Sequence, residues 1–277
     1  MTATPTPVPL IPFDPIPASD YDKCVLPPDN PIVSFVVPAF NEQANLSACV
    51  QTLHATLSTL KDAYELILVD DGSSDGTLQV ADRLEREYPG IVRICAHPTH
   101  QGLGAALQTG FAAARGEFVG CCPADFRITP EIWAPFHRAL GTADVLVGCR
   151  PKRVGYNPLM RLNAWLYLHL VRLLFHLTLR DVNWICAYRR SLLRQIPITQ
   201  KGIPMLAEIL IRLRDLGATF IEVDCPMQSR RAGTPSAARF PVMVHTLTGL
   251  LRFWIAYRRS STSQRRPARK TGTSPPP

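Results

Sequence analysis

Four short segments carry side chains able to bind a polar, anionic ligand. They are Pro38-Ala39-Phe40-Asn41-Glu42, Asp70-Asp71-Gly72-Ser73, His100-Gln101-Gly102-Leu103-Gly104 and Pro123-Ala124-Asp125-Phe126-Arg127. Carboxylates in such segments can accept hydrogen bonds from ribose hydroxyls and base N–H groups, or hold a hard cation on a diphosphate. Any one acid alone serves equally well as a turn or cap residue. Four such segments, each after an apolar run or before a helix pattern, point to a ligand site. Gly102-Leu103-Gly104 resembles part of a dinucleotide-binding phosphate loop. However, Leu107 stands where the third glycine would be, and no Gly-rich turn follows the first apolar run. Both features argue against a nicotinamide cofactor.

These segments need elements to position them. Apolar runs at 32–37, 65–69, 91–95, 117–121 and 143–149 read as strands. Helical patterns alternate with them: about 42–60 with Asn41 as the cap, 75–87, 103–115, and one opening at Pro130. This alternation predicts βαβ units, an α/β fold with a mainly parallel central sheet flanked by helices. Ligands of such sheets bind beyond the C-terminal strand ends, where the four segments fall. After residue 150 the pattern changes. The stretch 158–179 is largely apolar, and its polar or basic positions 161, 169, 172 and 176 fall at roughly helical spacing. In 242–259 a stripe of Met243, Leu247, Leu250, Leu251, Trp254 and Ile255 leads to Arg258 and Arg259. Each reads as a C-terminal amphipathic helix, packed on the core or lying in a membrane interface.

The 277 residues include 30 Lys+Arg, 22 Asp+Glu and 46% hydrophobic residues, which excludes a wholly disordered, collagen-like or coiled-coil chain. The charge is uneven. Residues 225–277 hold ten Lys/Arg and no acid, which calls for an anionic partner there. A membrane surface fits better than nucleic acid, because 258–277 offers no aromatic to stack on bases. The eight cysteines form no Cys-x-x-Cys pair, and the N-terminus lacks a basic start followed by an apolar stretch. Both suit a cytoplasmic setting. No apolar run of spanning length is free of charge. The expected organisation is a Pro-rich flexible leader at 1–31, one domain at 32–259, and a basic disordered tail at 260–277.

The order of motifs resembles the family 2 glycosyltransferases. These motifs are Val36-Val37-Pro38-Ala39-Phe40-Asn41-Glu42, Val69-Asp70-Asp71-Gly72-Ser73-Ser74-Asp75-Gly76-Thr77, Gly102-Leu103-Gly104-Ala105-Ala106, Val147-Gly148-Cys149-Arg150, Leu179-Arg180-Asp181-Val182 and Arg231-Ala232-Gly233-Thr234-Pro235-Ser236. Within that family the likeness is to dolichol-phosphate mannosyltransferases and other polyprenol-phosphate glycosyltransferases. It implies a GT-A fold and inverting transfer of a sugar from a nucleotide diphosphosugar to a polyprenol phosphate, peripheral at the cytoplasmic membrane face. A membrane-protein partner is a further candidate, as is the alternative of a degenerate nucleotide-sugar- or partner-binding protein. By the same resemblance, Pro38, Phe40, Glu42, Asp70, Asp71, Gly102, Ala124 and Arg127 would surround the nucleotide sugar. Arg150, Arg161 and Ser236 would hold the acceptor phosphate, and Asp125, Asp181, Arg150, Arg161 and Arg231 would serve catalysis. Two departures stand out: Pro123 replaces the first acid of the family's Asp-x-Asp motif, and Arg127 replaces its usual Gln. Asp125 alone would hold Mg2+ or Mn2+ weakly, and Arg127 could pair with it.

Overall fold

The computed structural model describes residues 31–60, 63–150, 156–200, 202, 204–225 and 240–264. The elements run β1 (Val33–Ala39), α1 (Leu46–Thr59), β2 (Tyr64–Asp70), α2 (Thr77–Glu87), β3 (Val92–Ala96), α3 (Leu103–Ala113), β4 (Phe118–Cys121), α4 (Pro130–Ala139) and β5 (Val145–Cys149). They continue with α5 (Pro158–Phe175), β6 (Cys186–Arg189), α6 (Arg190–Leu193), α7 (Pro204–Asp215), β7 (Phe220–Asp224) and α8 (Phe240–Gln264). The seven strands form one sheet in the order β3-β2-β1-β4-β6-β5-β7. All pairings are parallel except those of β6, which runs antiparallel to both β4 and β5.

Both sheet faces are covered, so the strands read as continuous apolar runs. Phe35, Val37, Leu66 and Leu68 face the layer of α1, α2 and α4, around Trp133 and Phe136. Val36, Ile67 and Val69 face the other layer, which holds α3, α5, α7 and α8. α3 lies close on β1 because residue 110 is glycine. A Cβ there would meet Val36 Cγ1 at 2.2 Å.

Several boundaries differ from the sequence expectation. α1 starts at Leu46, with Asn45 rather than Asn41 at its cap. Asn41 instead has φ +55°, and its side-chain carbonyl accepts from the Ser74 N–H at 2.9 Å. α5 ends at Phe175, with His176 left-handed at its C-cap. α8 continues to Gln264, into the stretch expected as tail. The stripe on α8 divides. Leu250 is buried with Phe253, whereas Leu251 and Ile255 are 44% and 45% exposed. The side chain of Met243 lies outside the described residues. No helix among the described residues is long and apolar enough to cross a membrane.

Candidate active site

Backbone hydrogen bonds draw the strand ends into one rim. Asp71 N–H donates to Ala39 O at 2.9 Å, His97 N–H to Asp70 O at 2.8 Å, and Ala124 N–H to Pro38 O at 3.4 Å. The β1–α1 and β2–α2 loops are laced together. Ser73 Oγ accepts from Asn41 N–H (3.0 Å), Thr77 Oγ1 from Glu42 N–H (2.8 Å), and Gln43 Oε1 from Gly76 N–H (2.9 Å). Glu42 is half-buried and accepts from the Asn45 amide at 2.8 Å. Gly72 closes the turn at φ +70°, where a Cβ would lie 2.4 Å from Thr99 C.

Asp71 is the most tightly held acid of the rim, its side chain only 3% exposed. Oδ1 takes His97 Nδ1 at 2.7 Å and Gln101 N–H at 3.0 Å. Oδ2 takes Gly102 N–H at 2.7 Å and His100 Nδ1 at 2.9 Å. Burial alone would raise its pKa. The two backbone donors, His97 and the nearby His100 outweigh burial and hold it below the ordinary carboxylate range. His97 Nε2 lies 2.9 Å from Thr109 Oγ1, so α3 fixes the ring behind the acid. Neighbouring Asp70 accepts from Ser73 N–H at 3.3 Å, while its buried Oδ1 has no hydrogen-bond partner among the described residues. Phe40 stands 40% exposed on the rim, with the His100 ring on it at 3.9 Å between centroids.

The β4–α4 loop forms the next part of the rim. Pro123 is exposed, Ala124 buried, and Asp125 half-buried. Arg127 turns inward. Nη1 donates to Ala124 O (2.9 Å) and Phe126 O (2.8 Å), and Nη2 to Asn45 O (3.1 Å). It therefore braces this loop against the start of α1. A divalent cation on a diphosphate wants several oxygens in near-octahedral array. Asp125 is the only carboxylate from Cys121 to Thr129. No group of three potential ligands occurs among the described residues, so those residues do not fit a tightly held divalent cation.

The antiparallel β6 returns the chain to this same edge. Phe126 meets Trp184 edge-on at 5.1 Å, and the Arg150 guanidinium lies 4.5 Å from the Trp184 ring centroid. Arg150 and Asp181 side chains are each 4% exposed. Arg150 Nε and Nη2 donate to the two oxygens of Asp181 at 2.7 and 2.9 Å, Nη1 donates to Tyr156 Oη at 3.1 Å, and Nη2 to Asn183 O at 3.2 Å. Asp181 also accepts from Val182 and Asn183 N–H. An acceptor phosphate would have to compete with Asp181 for this fork. Arg161, by contrast, is exposed in the first turn of α5, its Nε on Tyr156 O at 3.2 Å. Tyr156 thus links the two arginines. Arg231 and Ser236 lie outside the described residues.

Of the expected residues, Pro38, Phe40, Glu42, Asp70, Asp71, Gly102, Ala124, Asp125 and Arg127 gather at the ends of β1, β2, β3 and β4. Arg150 and Asp181 gather beside them at the end of β5. His97, His100, Tyr156 and Trp184 were missed. Only His100 had a signal, its place in the segment before α3.

The profile of Glycosyl transferase family 2 matches residues 34–197. The chain is 30% identical over 212 residues to the undecaprenyl-phosphate mannosyltransferase of Micrococcus luteus, covering 72% of this chain and 84% of that protein. It is 31% identical over 173 residues to the dodecaprenyl-phosphate galacturonate synthase of Rhizobium johnstonii, covering 60% of this chain. That match spans only 50% of the Rhizobium protein's length. In architecture the chain is similar to glucosyl-3-phosphoglycerate synthase from Mycobacterium tuberculosis, with a TM-score of 0.60 at 22% identity over 80% of this chain and 79% of that one. That likeness extends the shared α/β fold, GT-A-like, across most of the molecule. The family match takes in the whole strand-end site from Phe40 to Trp184 and more than half of the chain: the protein belongs to glycosyl transferase family 2.

Proposed function

We propose that the protein transfers a sugar from a nucleotide diphosphosugar to a polyprenol phosphate, with inversion, as a peripheral protein at the cytoplasmic membrane face. The observation that carries this reading is the outer face of α5. Leu159, Leu162, Trp165 and Leu173 are 54–71% exposed, next to the exposed Arg161. A lipid phosphate asks for this combination of an apolar path and a fixed cation beside the donor rim. The names of the relatives agree with it.

In this reading Phe40 and Asp71 receive the base, and Pro38, Glu42 and Asp70 frame the ribose. Gly102, Ala124 and Asp125 line the diphosphate side. The acceptor oxygen attacks the anomeric carbon as the bond to the nucleoside diphosphate breaks, and negative charge grows on the leaving phosphate. Fixed cations aimed there lower the barrier. Arg161, with Arg231 and Ser236, serves the phosphates, while Arg150 and Asp181 hold the loop between them. The acceptor monophosphate has its second pKa near about 6, so it needs orientation more than a general base. Radiolabelled sugar should pass from a nucleotide sugar into the organic phase when membranes are supplied. Absence of transfer across a panel of nucleotide sugars would overturn the reading.

A second reading, a binder without turnover, draws on Pro123 and on the engagement of Arg127 with three carbonyls. Calorimetric binding of a nucleotide sugar with neither hydrolysis nor transfer would favour it. In both readings divalent metal matters little, and affinity in EDTA should match affinity in millimolar Mn2+. Arg127→Gln should open a Mn2+ dependence, because it removes the fixed cation from the loop that carries Asp125 and restores a neutral oxygen donor there. A large Mn2+ gain in the unmutated protein would refute this.

A further inference from the structure

His100 is the one side chain on Asp71 that can leave. The three hydrogen-bond donors to the carboxylate are the N–H groups of Gln101 and Gly102 and the buried His97, whereas His100 is held by charge proximity. The His100 side chain is 50% exposed. It makes two contacts at once: a flat ring lying against Phe40, with centroids 3.9 Å apart and planes inclined by 31°, and a ring nitrogen 2.9 Å from Asp71 Oδ2. A planar heterocycle bearing a ring N–H would make the same pair of contacts. We infer that His100 sits in the seat of the donor's base, as an internal surrogate that the base must displace. The inference rests on the reading of the protein as a nucleotide-sugar transferase. It adds to that reading a competitor that is part of the chain.

The chemistry has a consequence for the choice of base. Uracil, thymine and guanine carry a ring N–H beside a carbonyl and can replace the imidazole on Asp71. Adenine presents a bare ring nitrogen, which repels a carboxylate. The groups facing His100 are Asp71 from the β2–α2 loop, Phe40 from the β1–α1 loop and, behind Asp71, His97 at the end of β3. Asp71 is held below the usual carboxylate range, so it is charged at neutral pH and attracts any N–H donor that takes the place of the imidazole.

The test is calorimetric binding of UDP-glucose, GDP-mannose and ADP-glucose to the full chain at pH 7. His100→Ala should bind UDP-glucose or GDP-mannose about fivefold more tightly than the unmutated chain, the scale of one partly exposed polar contact. ADP-glucose should gain nothing from His100→Ala. Equal or weaker binding of UDP-glucose and GDP-mannose by His100→Ala, or an equal gain for ADP-glucose, would overturn the inference while leaving the proposed function standing. Failure of all three nucleotide sugars to bind any variant would overturn the proposed function as well.

Discussion

Arg150 and Asp181 form an ion pair that is buried, bidentate and further tied by Tyr156 and Trp184. Removing one partner of such a pair leaves a charge stranded in low dielectric, at a cost of about 3–5 kcal/mol. Arg150→Ala should therefore lower stability by that order in urea unfolding. Arg150→Met with Asp181→Leu should recover much of the loss, because neither charge is then left alone. Arg161→Ala, on an exposed side chain, should leave the unfolding curve in place and reduce acceptor use only. Asp71 gives a pH-dependent prediction. Its folded pKa lies below the unfolded value near 3.8, so the folded chain binds fewer protons. The stabilisation it supplies is complete above the unfolded pKa and is lost as pH falls through the folded one. Urea unfolding of Asp71→Asn should show a weaker protein at pH 7 and a shallower loss of stability in the acid range below about pH 4.

At the scale of elements, α5 carries the sharpest contrast between its two faces. Tyr167, Val171 and Phe175 are buried at i, i+4 and i+8, while Leu159, Leu162, Trp165 and Leu173 lie open. Leu162→Glu with Trp165→Glu should weaken flotation with anionic vesicles without lowering the thermal midpoint. A core role for these side chains would do the reverse. The helix itself was legible in sequence because its polar positions recur at roughly helical spacing; that Asn157 caps it, accepting from Met160 N–H, only the structure shows. The half of the sheet from β1 to β4 was legible for a similar reason: each strand is a buried apolar run ending in turn residues. β6, α7 and β7 were not assigned. β6 is the four residues Cys186-Ala187-Tyr188-Arg189, too short for a period. β7 opens Phe220-Ile221-Glu222, with Glu222 turned to Arg180. Asn41 looked like a helix cap because its side chain suits one. Its carbonyl is instead spent across the loop on Ser74, a contact that only the tertiary fold creates. The charged fork of Arg150 looked free for a phosphate for the same reason, since nothing local announces Asp181, 31 residues away.

At the scale of the whole molecule, six of the seven cysteines among the described residues are buried, and Cys121 is half-buried. Cys121, Cys149 and Cys186 are desolvated, which pushes their thiols up to about 12. Thiolates are the reactive form, so these three should resist iodoacetamide at pH 8 in the folded protein and react fully in urea, as read by peptide mass spectrometry. The sheet order carries a consequence for synthesis. Strands β1 to β4 are complete once residue 121 has been made, but the edge of β4 that β6 will cover stays bare until Arg189 has emerged. Ribosomes add about 5–20 residues per second, so the nascent half-sheet carries an unpaired, apolar edge for several seconds. Through that interval the growing polypeptide offers neighbouring chains a ready template for β-pairing. Its yield in a cell thus depends on translation speed, and on chaperones that shield Phe118–Cys121, as well as on the stability of the finished fold.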